Sequence, residues 1–157
     1  MGILGRTMVT FLPLAPRFVV RWVAKRYMAG ESLEQAIEVM EALSSEGACF
    51  TVDVLGEEIK SLEESSWFID EYEKVLDAIV DRGIDASISI KPTALGLLID
   101  KETSHSNIER IVRKASETGI FVRLDMEDNR VTQATIDAAK AMHSKGLTNV
   151  GVVLQGR

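Results

Sequence analysis

The chain has 157 residues, 46% of them hydrophobic and 27% charged, enough for one domain with a real core and ordinary for a globular protein. The net charge of −6 is uneven: no acid precedes Glu31, where Arg6, Arg17, Arg21, Lys25 and Arg26 lie, so the remainder carries −11 and nucleic acid is excluded as the main partner. The single cysteine, Cys49, excludes an internal disulfide and fits a reducing compartment.

The first predicted helix, "APRFVVRWVAKRYMAG", places Arg17, Arg21 and Lys25 on one face by their i, i+4 spacing. That face is expected to be solvated, with contact at an anionic membrane surface as the alternative. The uncharged stretch from Thr7 to Pro16 is too short to cross a bilayer and holds two prolines. The second helix, "SLEQAIEVMEALSSEG", opens with Ser32 and Gln35 in a capping box, and Ser61 with Glu64 repeats the device before a later helix.

From residue 47 onward a pattern recurs: a glycine, a short β-forming run, then a helical run. The glycines are Gly47, Gly83, Gly119 and Gly146, each placed to end a helix in a left-handed conformation. They introduce "CFTVDVL", "ASISIK", "IFVRLDM" and "NVGVVLQ". Between these lie "SLEESSWFIDEYEKVLDAIVDRG", "SHSNIERIVRKASETG" and "TQATIDAAKAMHSKG". Such alternation predicts βαβ units and a parallel sheet.

Parity along each strand then selects between an open and a closed sheet. Val52, Ile88, Ile90, Val122, Leu124, Val150 and Val152 fall on one face, against Thr51, Asp53, Ser87, Ser89, Lys91, Arg123, Asp125 and Gly151 on the other. A doubly wound open sheet is covered by helices on both sides and should be apolar on both. A barrel covers only its outer face and can line a polar site with its inner one. The chain therefore reads as four staves of a (β/α)8, TIM-barrel-like fold, a half-barrel over residues 47–157, preceded by a helical arm over 1–46. A complete barrel takes eight strands and about 250 residues. The strand ends would carry Asp53, Lys91, Asp125 and Gln155 to the rim where barrel enzymes place their chemistry. Pro92 holds Lys91 extended and cannot continue an interior strand.

From the residues alone, Lys91 and Asp125 read equally as a structural ion pair or as a working pair. Asp125 and Glu127 could instead serve a metal-assisted lyase or hydrolase, against which stands the lack of a nearby histidine or cysteine. Glu127 and Asp128 read most simply as acids at a helix N-terminus. Cys49, Trp67 and Phe68 are expected in the core, and His105 and His143 in solvent. Gly56 and Gly96 are too sparse for a phosphate loop.

The ordered strings "DVLGE", "ISIKPTALGL", "FVRLDMED" and "NVGVVLQ", with the lead-in "RYMAGESLEQAI", resemble the proline dehydrogenase family from about residue 12 onward. The resemblance implies a distorted (β/α)8 barrel holding FAD at its rim. By position it implies that Lys91 helps bind the carboxylate of L-proline and that Asp125 is the active-site aspartate. It further implies that Met126 packs on the flavin and Gln155 bonds the isoalloxazine, while Glu57 gates the site by pairing with an arginine. The reaction so implied is hydride transfer from proline C5 to flavin N5, giving 1-pyrroline-5-carboxylate, with electrons passed to a quinone. A cytoplasmic place, peripheral to the inner membrane face, goes with that acceptor. The family's later FAD-binding arginine and paired-arginine helix have no counterpart in these residues, so the chain is expected to be a fragment, inactive alone. A non-catalytic half-barrel is the remaining alternative.

Overall fold

The computed structural model describes residues 32–156 together with Pro16 and Ala29. The basic helix expected near residues 15–30 lies outside these, so the arm is seen only in its last helix, α1 (Leu33–Ser44). There the Gln35 N–H reaches the Ser32 hydroxyl at 3.4 Å. The chain divides into the compact units Met1–Val39 and Met40–Arg157, and the sheet belongs to the second.

In that unit β1 (Phe50–Asp53), β2 (Ala86–Ile90), β3 (Val122–Leu124) and β4 (Val150–Val152) form one parallel sheet in the order β1-β2-β3-β4. The connections run through α2 (Leu62–Arg82), α3 (Lys101–Glu117) and α4 (Thr132–Ser144), and a short 3-10 turn, Pro92–Leu95, follows β2. Sequential order means that every crossover steps the same way. With right-handed connections, all three helices then fall on one face. This is barrel-type winding, as the alternation of residues predicted.

The register aligns the two faces. Val52, Ile88, Val122 and Val150 are mutual partners across the sheet, as are Ile90, Leu124 and Val152. Ile88, Ile90, Val122 and Leu124 are wholly inaccessible, as are Ile108, Ile111, Val112 and Met142 on the helices. Burying each such side chain contributes roughly 1.5–3 kcal/mol. The opposite row pairs Asp53 with Ser89, Ser89 with Arg123 and Arg123 with Gly151, and it is half-buried apart from the buried Ser89. The paired segments are shorter than the β-forming runs, though ladder bonds such as Asp125 N–H to the Ile90 carbonyl and Val122 N–H to the Asn149 carbonyl continue beyond them.

All four punctuating glycines have positive φ, from +61° at Gly83 to +86° at Gly47. At Gly83 the left-handed residue turns its N–H back onto the last carbonyls of α2. At the other end of α2, the Glu64 carboxylate accepts the N–H of Ser61 at 3.2 Å. Asp100 starts α3 by accepting the Thr103 N–H at 2.7 Å. Asn149 ties α3 to β3 by donating to the carbonyls of Val112 and Ile120, both at 3.1 Å.

Three placements differ from the sequence reading. Cys49 is exposed, because it precedes the first ladder pair and lines an open hollow with Thr51, Ser87, Phe121 and Arg123. Trp67 is 54% exposed while Phe68 is 8% exposed: α2 turns residues 68, 72, 75, 76 and 79 inward, and 67 falls off that stripe. His105 is only half-exposed, and its Nε2 is buried without a partner. His143 is exposed as expected, with Nε2 2.8 Å from the Val150 carbonyl oxygen.

Candidate functional site

The C-terminal ends of the four strands gather the residues picked out by their parity. Lys91 follows β2 directly, with φ −96° and ψ 113°, the extended backbone that a following proline demands. Its ammonium bonds the Asp53 carboxylate at Oδ2 and lies 3.9 Å from Asp125 Oδ2. The nearer partner is thus on β1, where the sequence reading looked to β3. β2 lies between the two, so its strand end is within reach of either neighbour, and Asp53 is turned inward by the register that pairs it with Ser89. Burial works against the charge on Lys91, but the bond and charge of Asp53 outweigh it, and Asp125 and Glu57 add to the effect. The amine is held above its usual range. With Glu127, whose own charge is favoured by Lys91, four carboxylates act on one ammonium.

Asp53 is itself held from behind. The hydroxyl of Tyr72, on α2, lies 3.0 Å from Asp53 Oδ1 and 2.8 Å from the Ser89 carbonyl oxygen. Burial, then the charge of Asp53, push the phenol far above its normal range. Sequence reasoning missed this contact. Tyr72 sits on the apolar stripe of α2 and reads as core, which its ring is.

Asp125 is half-buried just beyond β3, its backbone fixed by donation to the Ile90 carbonyl at 2.9 Å. Met126 is half-buried, and its carbonyl accepts one amide N–H of the exposed Gln155 at 2.8 Å. Glu57 is exposed in the connection between β1 and α2, and its charge is felt by both Lys91 and Glu127.

Glu127 and Asp128 are not helix-terminal acids, since α4 begins only at Thr132 and has no acid in its first turn. Glu127 accepts the Thr93 N–H at 3.0 Å and bonds the Thr93 hydroxyl. Thr93 Oγ1 also accepts the Glu58 N–H at 3.0 Å, so one threonine laces together the connections after β1, β2 and β3. Burial raises the Glu127 pKa, outweighing the lowering effect of those Thr93 bonds. Asp128 pairs with Arg130 at 2.5 Å, and Arg130 also bonds Glu58, a residue with φ +49°. Both acids thus have structural partners, and among the described residues no group of three or more His, Cys, Asp or Glu could hold a metal.

Residues 36–156 match the family model described as proline dehydrogenase. The chain belongs to the proline dehydrogenase family. The proline dehydrogenase of Deinococcus radiodurans is 36% identical over 137 residues, covering 85% of this chain and 44% of that protein. Proline dehydrogenase 2 of Bacillus subtilis (strain 168) is 33% identical over 135 residues, 86% of this chain and 44% of its relative. Proline dehydrogenase 1 of the same strain is 27% identical over 146 residues, 93% of this chain and 48% of the other. The chain thus spans under half the length of the curated relatives it matches. Among solved structures, proline utilization A (PutA) from Bdellovibrio bacteriovorus, inactivated by N-propargylglycine, superposes with a TM-score of 0.77 at 24% identity, over 87% of this chain and 17% of that one. The architecture is accordingly TIM-barrel-like, with four parallel strands among the described residues.

Proposed function

We propose that this chain forms part of a proline dehydrogenase, an FAD-dependent oxidoreductase that converts L-proline to 1-pyrroline-5-carboxylate. The observation carrying the reading is the gathering of the half-buried Lys91, Asp53 and Asp125 on the inner face at the C-terminal strand ends. Proline is a zwitterion, and that trio offers both signs of charge. The Lys91 ammonium would meet the substrate carboxylate. Asp125, only weakly engaged by Lys91 at 3.9 Å, would accept the substrate's N–H and orient ring carbon C5. With four carboxylates about one ammonium, the site has an excess of negative charge, so tight carboxylate binding calls for further cations beyond Lys91.

The residues beside the trio suit a flavin. Met126 offers a polarizable, half-buried thioether to a flat ring, and Gln155 keeps a second amide N–H and its carbonyl oxygen for a ring edge. FAD, when bound, supplies the hydride acceptor. Glu57, exposed above Lys91, would pair with a cation that closes the site. The same reading takes electrons to a quinone and places the protein in the cytoplasm, peripheral at the inner membrane face. No helix among the described residues is long and apolar enough to cross a membrane.

The test uses the chain extended to the length of its relatives. Purified anaerobically, that protein should show flavin absorbance that L-proline bleaches. Asp125→Ala should retain the flavin and lose bleaching by at least about a hundredfold, roughly 2.7 kcal/mol. Lys91→Ala should raise the KM for proline at least about tenfold. A colourless protein, or bleaching unaffected by Asp125→Ala, would overturn the reading.

A further inference from the structure

The β1–β2 ladder lacks a rung at the rim. The Phe50 N–H donates to the Asp85 carbonyl, one residue before its register partner Ala86. Parallel pairing repeats that bond every second residue, so the Val54 N–H is due at the Ser89 carbonyl. The other two ladders continue past their strand ends directly, with the Asp125 N–H on the Ile90 carbonyl at 2.9 Å and the Val153 N–H on the Leu124 carbonyl at 3.0 Å. Between β1 and β2 the Tyr72 hydroxyl stands in the gap instead. It accepts the Val54 N–H at 3.4 Å and lies 2.8 Å from the Ser89 carbonyl oxygen.

A phenylalanine would fill the same space in the wholly buried ring site, so packing does not call for the hydroxyl. A buried hydroxyl is costly unless bonded, and this one is bonded only to groups at the rim. It bridges the two strand ends where β1 and β2 diverge, reaching from the helix-covered side to the inward-facing Asp53. Its single proton is shared between the Ser89 carbonyl and Asp53 Oδ1, so Asp53 is gripped at one oxygen by Tyr72 and at the other by Lys91.

We propose that Tyr72 is a positioning residue: its hydroxyl wedges β1 from β2 at the rim and fixes the Asp53 carboxylate, which in turn aims the Lys91 ammonium. This deepens the reading of Lys91 as the group that meets the carboxylate of proline and rests on it for its consequence in catalysis. The groups facing Lys91 are Asp53 from β1, Glu57 from the connection after it, and Asp125 and Glu127 from the connection after β3. Only Asp53 bonds it closely, so loosening Asp53 should free the amine.

Amine acetylation of the 157-residue chain at one fixed pH, mapped by peptide mass, reads that freedom without substrate or flavin. Tyr72→Phe should raise the modification rate of Lys91 by about threefold or more, the effect of half a pKa unit. The exposed Lys60 and Lys140 should keep their rates, and Asp53→Asn sets the full effect. A folded Tyr72→Phe chain with Lys91 labelling unchanged would overturn the proposal. If that variant fails to fold, 3-fluorotyrosine in the otherwise native chain gives a second measurement, with Tyr27→Phe assigning the resonance. Asp53→Asn should then shift the Tyr72 fluorine signal, and an unmoved signal would overturn the contact. In the extended protein, Tyr72→Phe should raise the KM for proline more than it lowers kcat. Freed Lys91 labelling with an unchanged KM would keep the wedge and sink the role of Lys91 toward proline.

Discussion

The two faces of the sheet divide the work of the chain. The outer face is apolar, with Ile88, Ile90, Val122, Leu124 and Val150 buried and Val52 and Val152 half-buried. The inner face is hydroxyls, two acids, a lysine and an arginine, for the most part half-buried. Adjacent residues of one strand belong to different faces, so a change of one position moves a substitution from the part that holds the fold to the part that holds the chemistry.

The largest expected effect follows from that step. Ile88→Ala should destabilise the chain by about 2–5 kcal/mol, while its neighbour Ser87→Ala should cost under about 0.5 kcal/mol, both read by denaturant unfolding. Similar costs at the two positions would erase the distinction between faces. A smaller effect tests the stiff end of the sheet. Gly83 has φ +61° and open space where a Cβ would go, so Gly83→Ala should cost about 1 kcal/mol from backbone strain alone. A loss of several kcal/mol would mean that the turn is packed as well as bent.

The smallest effect concerns pH. Glu127 titrates above its usual value in the fold, chiefly because it is buried. A carboxyl raised on folding favours the folded state below its unfolded pKa and loses that advantage as pH rises through the folded value. Glu127→Gln removes this dependence. The Tm of the variant relative to the parent should therefore be more favourable at pH 7 than at pH 4. An equal difference at both pH values would show that the Thr93 bonds cancel the effect of burial on that carboxyl, and a reversed difference that they outweigh it.

Much of this was legible in the sequence for a simple reason. Alternation with period two and left-handed glycines are local signals, and they placed the strands, the helix ends and the inward turn of Lys91 and Asp125. What was not legible depends on distances between elements. Lys91 has acids on both neighbouring strands, and only the register and the Tyr72 contact set Asp53 as the closer one. Thr93 and Glu127 are 34 residues apart and meet because consecutive strand ends are neighbours. Trp67 and Cys49 were misjudged because an apolar residue type was taken for an apolar position.

The two ends of the sheet also differ in what they tolerate. Helix-to-strand returns at residues 83–85, 118–121 and 145–149 are brief and bent by glycine. Strand-to-helix passages at 54–61, 91–100 and 125–131 are longer and joined to one another by Thr93 rather than by the ladder. Lengthening a return would throw a whole stave out of phase with its neighbour, whereas an insertion in a passage would spend itself above the rim. Lineage-to-lineage variation in loop length should therefore collect on one side only, and a library seeking altered substrate preference is best built there.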